Sequence, residues 1–345
     1  MSGGAGDVRV ALVGYGAWGS NLARAVSETP GAALAAVCDG DPVRLALARE
    51  RHREARLSVS LKEALADRTI QAVVVATPAS THAAVAAEAI EASRDVFVEK
   101  PLTTEPESSR ALCAAARAKG VVLMVGHLLR YHPAVRRLDE GVRRGDFGRL
   151  HYLRTERANP GRARADVGVL HALLPHDVSI ALLLFGDAVT SVRASAFDFR
   201  GAGRADHAEM SLVFRGGERA TLFASWLEAA KVRRMTLVGE RATAVIDDTE
   251  PREKLRIVGG APPGADPEPT YGSYGEWVGL RFGEVRAPEV SSQEPLRLEM
   301  EHFVARVLDR RAPETPGEEG LAVVRVLSAA ERSMARGGVP VGLEE

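Results

Sequence analysis

An apolar strand pattern, Val8 to Gly14, runs directly into Gly14-Tyr15-Gly16-Ala17-Trp18-Gly19 and a helical segment, Ala17 to Ser27. No other feature constrains the fold as strongly. A strand ending in a glycine-rich turn that opens a helix predicts a βαβ unit, with free N–H groups and a favourable dipole for an anion at the helix start. Gly14 permits the tight turn, Gly16 lets the backbone approach a pyrophosphate, and Gly19 allows close helix–strand packing. Ala17 and Trp18 complete the turn and belong to the expected cofactor-binding set. The next strand, ALAAVCD (33–39), ends in Asp39, 20 residues beyond Gly19. A carboxylate there accepts hydrogen bonds from an adenosine ribose and repels a 2′-phosphate. Gly40 and Asp41 bring no positive charge, so the expected cofactor is NAD(H) over NADP(H).

The alternation continues. Pro42 to Arg53 is helical, with Asp41 as N-cap and Pro42 at the first helical position. QAVVVAT (71–77) reads as a buried strand and Thr81 to Ala92 as a helix. DVFVEK (95–100) and VVLMVGH (121–127) are strands around the helix Pro106 to Lys119. Continuous apolar strands alternating with helices predict a parallel sheet covered on both faces. After Pro133 the pattern changes. A helix, Ala134 to Arg144, precedes longer segments at 149–159, 189–199, 206–214, 218–228, 232–240 and 241–247, several alternating polar and apolar residues as antiparallel strands do. Arg215-Gly216-Gly217 reads as a hairpin turn. Helices resume at Leu296–Leu308 and Glu318–Ala335, and 259–294 reads as irregular.

The chain has 345 residues, enough for about two domains. With 45 Lys+Arg against 46 Asp+Glu, the net charge of −1 argues against nucleic acid or an anionic membrane as the main partner. The two cysteines, Cys38 and Cys113, support neither a disulfide framework nor a cysteine-rich metal site and read as small buried hydrophobes. MSGGAGD has no signal-peptide character. The most apolar long stretch, Val167 to Phe185, contains His171, Pro175, His176 and Asp177 and is too polar to span a membrane. The expectation is a soluble, cytoplasmic protein.

Two further motifs carry chemistry. Glu99-Lys100-Pro101 ends the fourth parallel strand, and ligands of such sheets sit beyond the carboxyl ends of strands. From there the Lys100 ammonium is placed to hydrogen-bond a substrate hydroxyl and stabilise negative charge developing on oxygen. His176-Asp177 lies in an apolar helical stretch, and an imidazole suits proton transfer to or from an alcohol. His171 is near in sequence, but no third ligand has metal-site spacing, so no metal is expected.

Together these segments resemble the Gfo/Idh/MocA oxidoreductases. The resemblance rests on VGYGAWGSNLAR (13–24), VCDGDPVR (37–44), ATPASTHAAVAAEAIEASRDVFVEKPLT (76–103), GHLLRYHPAV (126–135), the His176-Asp177 segment and GLAVVRVLSAAERS (320–333). WGSN and RYHPAV look like the branch with sugar and nucleotide-sugar dehydrogenases. The resemblance implies an NAD-binding Rossmann domain (1–126) with a doubly wound parallel sheet. It also implies an α+β domain (127–345) with a large, mostly antiparallel open sheet through which homodimers or homotetramers assemble. It implies hydride transfer between nicotinamide and a carbinol or ketone of a sugar, nucleotide-sugar or cyclitol. Lys100 then matches the catalytic lysine and His176 the proton-relay histidine. Thr77, Pro78, His82 and Glu99 join the cofactor side. Arg130, Tyr131, Asn159, Arg162, His171, Ala172 and Asp177 face the substrate. The family's usual aspartate four residues before the histidine is replaced here by Ala172. Either Lys100 and His176 suffice, or His171 or Tyr131 substitutes, or the site is impaired. A non-catalytic NAD-binding sensor and a reductase of an imine or activated ketone are the alternatives.

Overall fold

A computed structural model of the chain describes residues 6–161, 167–260, 272–275 and 284–343. The chain divides into two compact units, Met1–His132 with Gln293–Ser328, and Pro133–Ser292 with Ala329–Glu345. A single cut at 126/127 therefore does not follow the contacts, because residues 293–328 return to the first unit.

In the first unit, six parallel strands are ordered β3-β2-β1-β4-β5-β6. They are β1 (Val8–Val13), β2 (Ala32–Cys38), β3 (Arg56–Ser58), β4 (Ala72–Val75), β5 (Asp95–Glu99) and β6 (Leu123–Gly126). This is the doubly wound order whose direction reverses between β1 and β4. The short β3 lies outside the expected strands, and its three residues are too few to show periodicity. Helices α1 (Ala17–Glu28), α2 (Pro42–Arg51), α3 (Leu61–Leu65), α4 (Ala79–Glu91) and α5 (Pro106–Lys119) connect the strands. The Asp41 side chain accepts the Val43 N–H at 2.9 Å and caps α2.

Alternation along the strands sends successive side chains to opposite faces. Val10, Leu12, Val74, Phe97 and Met124 pack with Leu22 and Val26 of α1. Ala11, Val13, Val73, Val75, Val96 and Val98 pack with Ala86 and Ile90 of α4 and Leu112 of α5. The returning segment covers both faces: α8 (Pro295–Asp309) adds Met300, Phe303 and Val304 to the first cluster. The start of α9 (Gly317–Ala335) adds Val324 to the second. Cys38 and Cys113 are buried thiols. Burial pushes their pKa values up to about 12 and about 11, which keeps both protonated and unreactive.

The second unit is an eight-stranded sheet ordered β14-β13-β12-β11-β7-β10-β9-β8. Its strands are β7 (Leu150–Ala158), β8 (Val189–Phe197), β9 (His207–Phe214), β10 (Arg219–Ser225), β11 (Val232–Gly239), β12 (Ala242–Asp247), β13 (Leu255–Gly259) and β14 (Val285–Arg286). The pairings are antiparallel except β7 with β10. The β9–β10 hairpin turns through Gly217 at φ +93°, a left-handed conformation that glycine adopts without strain. Helices α6 (Pro133–Arg143) and α7 (Val169–Phe185) belong to this unit. Pro175 lies inside α7 and removes one helical N–H donor. No helix among the described residues is long and apolar enough to cross a membrane.

Candidate functional site

The glycine turn sits between the ends of β1 and β4. Gly14 has φ +94°, and a Cβ there would lie 2.7 Å from the Ala76 carbonyl carbon. A Cβ on Gly19 would strike the Gly14 carbonyl oxygen. Both positions exclude any side chain on steric grounds. A Cβ on Gly16 would meet nothing nearer than Arg44 at 3.9 Å, so its backbone is open to an incoming group. Gly16 is the N-cap of α1, and no side chain caps this helix start. Ala17 and Trp18 are exposed on its first turn. An uncapped helix start behind a bare glycine is suited to a phosphate.

Asp39 is buried at the end of β2. Its Oδ2 accepts the Tyr15 N–H at 2.6 Å and its Oδ1 accepts the Asp41 N–H at 2.9 Å. It therefore also ties the glycine turn to β2, and each carboxylate oxygen keeps a second lone pair for a ribose hydroxyl. The expectation that no cation neighbours Asp39 is corrected: Arg44 Nη1 lies 3.6 Å from Asp39 Oδ2. The residue stands five positions beyond Asp39, on the first turn of α2, and the helix carries it back to the strand end.

His82 is also placed differently from expectation. Its ring is buried, with Nδ1 2.8 Å from the Pro101 carbonyl and Nε2 2.9 Å from the Thr77 carbonyl. Both nitrogens face backbone carbonyls, and the neutral ring donates its one N–H to one of them. Burial lowers its pKa despite these contacts. Thr77 is half-buried and Pro78 is exposed at the start of α4.

At the end of β5 the Glu99 side chain is buried. Its Oε1 accepts the Trp18 indole N–H at 2.5 Å and its Oε2 accepts the Lys100 backbone N–H at 3.2 Å. Burial raises its pKa to about 7, against the pull of Trp18 and Lys100. Gly126 opposite it on β6 leaves the room this requires, since a Cβ there would lie 3.1 Å from Glu99 Oε1. Lys100 is half-buried, and its peptide to Pro101 is cis. Just past β6, His127 is fully buried and neither ring nitrogen has a hydrogen-bond partner among the described residues. Burial, then Arg130 and Lys100, push its pKa down to about 3, so it stays neutral.

Two expected substrate contacts in the turn at 128–131 find protein partners. Arg130 Nη1 pairs with Glu319 at 2.5 Å. Tyr131 is wholly buried, its hydroxyl 3.3 Å from Thr315 Oγ1 and its ring against His302, so it is a core residue.

In the second unit, α7 carries His171, Ala172, His176 and Asp177. Ala172 and His176, one turn apart, are both half-buried. His171 Nε2 lies 3.0 Å from Glu331 Oε1. Asp177 is 1% exposed and receives two hydrogen bonds from Arg157, at 2.8 and 3.0 Å. That bidentate pair and its burial give Asp177 a partner inside the unit and leave it almost no surface. Asn159 Oδ1 accepts from Arg233 Nη2 at 2.6 Å. Arg162 lies outside the described residues.

Arg44, His127, Arg157, Arg233 and Glu299 were not singled out in the sequence. Only Arg44 stood close enough in sequence to an expected site residue, Asp39, to be found by helix geometry. The others owe their significance to burial beside distant partners.

Residues 8–127 match the Gfo/Idh/MocA description "Oxidoreductase family, NAD-binding Rossmann fold", and residues 140–343 match "Oxidoreductase family, C-terminal alpha/beta domain". The chain is 35% identical over 182 residues to UDP-N-acetylglucosamine 3-dehydrogenase of Acidithiobacillus ferrooxidans, covering 52% of this chain and 56% of the relative. It is 34% identical over 195 residues to scyllo-inositol 2-dehydrogenase (NAD(+)) of Bacillus subtilis, covering 54% and 56%. The chain thus aligns with little more than half the length of these two relatives. Among solved structures, GenD2 from gentamicin A biosynthesis in complex with NAD superposes with TM-score 0.81 at 29% identity, covering 98% of this chain and 97% of that one.

Proposed function

The chain belongs to the Gfo/Idh/MocA oxidoreductase family, and from that premise we propose that it moves a hydride between NAD(H) and a carbinol or ketone of a sugar, nucleotide-sugar or cyclitol. The observation that carries this reading is the shared edge of the parallel sheet. The open Gly16 turn, Asp39 and Lys100 all stand at the carboxyl ends of its strands. The names of the relatives, a UDP-N-acetylglucosamine and a scyllo-inositol dehydrogenase, support the substrate class.

The residues present fit a dinucleotide. The uncapped start of α1 and Gly16 would hold the pyrophosphate and Asp39 the adenosine ribose, with Thr77 and Pro78 at the rim. When bound, the nicotinamide supplies the hydride donor or acceptor. Lys100 hydrogen-bonds the reacting oxygen and offsets the charge that develops on it. His176 takes or gives the hydroxyl proton. Asp39 favours NAD(H), while Arg44 beside it supplies the one cation that would tolerate a 2′-phosphate. The open face of the eight-stranded sheet, where Tyr152, Arg154, Glu209 and Thr221 are exposed, is the surface for assembly into dimers or tetramers.

Ala172 favours a second reading, a cofactor-binding sensor without turnover, because a methyl cannot orient the His176 ring. NADH titration followed by absorbance assays on sugars, cyclitols and nucleotide-sugars separates the two. Turnover supports the enzyme. NADH binding without turnover of any of these compounds supports the sensor. Failure to bind either nicotinamide dinucleotide overturns both.

A further inference from the structure

Helix α8 runs antiparallel to β5 across one face of the parallel sheet, and two pairs of residues mark the alignment. At one end Arg310, just past α8, pairs with Asp95, the first residue of β5, at 2.6 Å. In the middle Phe303 packs edge-on against Phe97, ring centroids 5.7 Å apart. Phe97 and Glu99 share a strand face, and Phe303 and Glu299 share a helix face one turn apart. Stepping forward along β5 and back along α8 therefore brings Glu299 to the end of the sheet where Glu99 lies. Glu299 is 0% exposed, and neither carboxyl oxygen has a hydrogen-bond partner among the described residues. A buried carboxyl without a cation beside it keeps its proton. Burial, and then the nearby Glu99, raise its pKa well above the ordinary value. A neutral carboxyl has one acidic hydrogen to give.

We propose that Glu299 is a positioning residue for Glu99: its protonated carboxyl supplies that hydrogen to the Glu99 carboxylate and so holds the Glu99–Trp18 pair in place. A rotation of the Glu299 side chain or one bridging water delivers the same hydrogen. The other titratable groups around Glu99 are Lys100 on its own strand end, His127 past β6, Arg130 on the following turn and His82 on α4. α1 contributes the Trp18 indole, which does not titrate. His127 and His82 are both disfavoured as cations by burial. Glu99 is thus the group of this cluster that titrates near neutrality. The proposal does not rest on the oxidoreductase reading.

The test uses Trp18 as reporter in the cofactor-free protein. Tryptophan emission titrated with pH should show a transition that is absent from Trp18→Phe, below the value of about 7 that burial, Trp18 and Lys100 alone set for Glu99. Glu299→Leu, similar in size and at ease in an apolar site, should move that midpoint up by about one to two pH units, the worth of a hydrogen bond to a charged group. Glu299→Gln, which keeps an N–H donor, should leave it in place. The proposal is overturned if the wild type shows no Trp18-dependent transition, or if Glu299→Leu leaves the midpoint unchanged. A downward move in either variant overturns it too, by showing that Glu299 acts as a like charge. If Glu299→Gln rises as far as Glu299→Leu, the hydrogen is not the cause. NADH binding by the wild type is measured separately. Its absence strikes the oxidoreductase reading and leaves the emission result standing.

Discussion

At the ends of β5 and β6, Glu99, His127 and Glu299 are all buried, and the side-chain polar atoms of His127 and Glu299 lack hydrogen-bond partners among the described residues. In the second unit, Asp177 is buried and Arg157 half-buried, yet each engages the other through two hydrogen bonds. The first cluster has no carboxylate–guanidinium lock, so burial decides its protonation: His127 stays neutral, Glu299 keeps its proton, and Glu99 is balanced near neutral pH. In the second cluster pairing wins over burial. Desolvation acts against the Arg157 charge, but Asp177 more than offsets it and the pKa stays raised. Two buried polar clusters of one chain thus have opposite uses. Burial sets the protonation of one, and a bidentate ion pair fixes the charges of the other.

The widest separation between these uses is expected at Lys100. Lys100→Met should lower kcat about 10²- to 10⁴-fold, the usual cost of removing a proton-transfer group. NADH affinity should change far less. Steady-state kinetics beside NADH titration checks this, and near-normal turnover would remove Lys100 from the mechanism.

Asp177→Ala comes next and tests the ion pair. It leaves the Arg157 guanidinium buried without its carboxylate, at a cost of about 3–5 kcal/mol. Replacing both partners, with Arg157→Met and Asp177→Leu, should restore most of that loss. Denaturant unfolding decides it. An equal loss in the single and double variants would show that packing, and not an uncompensated charge, is the cause.

The third prediction concerns the pH dependence of stability. Glu99 titrates at about 7 when folded, against an ordinary 4.5. The folded chain therefore holds a proton that the unfolded chain has released. This contribution is fully present below about 4.5 and is lost as pH rises through 7, on the order of 3 kcal/mol. His127, depressed to about 3 from 6.5, acts in the opposite sense: its contribution is present above 6.5 and is lost as pH falls through 3. The stability difference between wild type and Glu99→Gln isolates the first effect and should shrink as pH rises through this window. A difference independent of pH would place Glu99 with the paired groups.

The smallest effect is expected at the adenosine end. Arg44→Ala should weaken NADPH binding by roughly tenfold or less, the worth of one exposed charge contact. NADH should be nearly unaffected. Asp39→Ala should narrow the preference for NADH by removing both ribose hydrogen bonds and repulsion. If wild type binds NADPH more tightly than NADH, Arg44 outweighs Asp39.

Much of this architecture was legible from local pattern. The Val8–Gly19 strand and turn, Asp39, the capped α2 and the hairpin at Arg215-Gly216-Gly217 all depend on neighbours within about 20 residues of one another. Backbone sterics and side-chain periodicity act over that range, so the residues state their own conformation. Tyr131 shows the limit. Its motif placed it beside a substrate, but its ring is closed in by His302 and Thr315, more than 170 residues away. Asp177 shows a second limit: Arg157 stands only 20 residues earlier, but on β7, and no local periodicity sets that strand residue against α7.

The amino-acid sequence alone determined that this chain builds a parallel nucleotide-binding sheet followed by a largely antiparallel one, with a glycine turn, an aspartate and a lysine at the strand ends of the first. Periodicity records which face of an element is buried. It does not record what covers that face. Only the tertiary structure decided that residues 293–328 fold back on the first sheet. It alone paired β7 in parallel with β10 and set Arg157 on Asp177. It also brought Glu299 to the strand end occupied by Glu99, two hundred residues earlier in the chain. The protonation of a buried group depends on the solvent it loses and the charges it gains, and both are properties of the assembled interior.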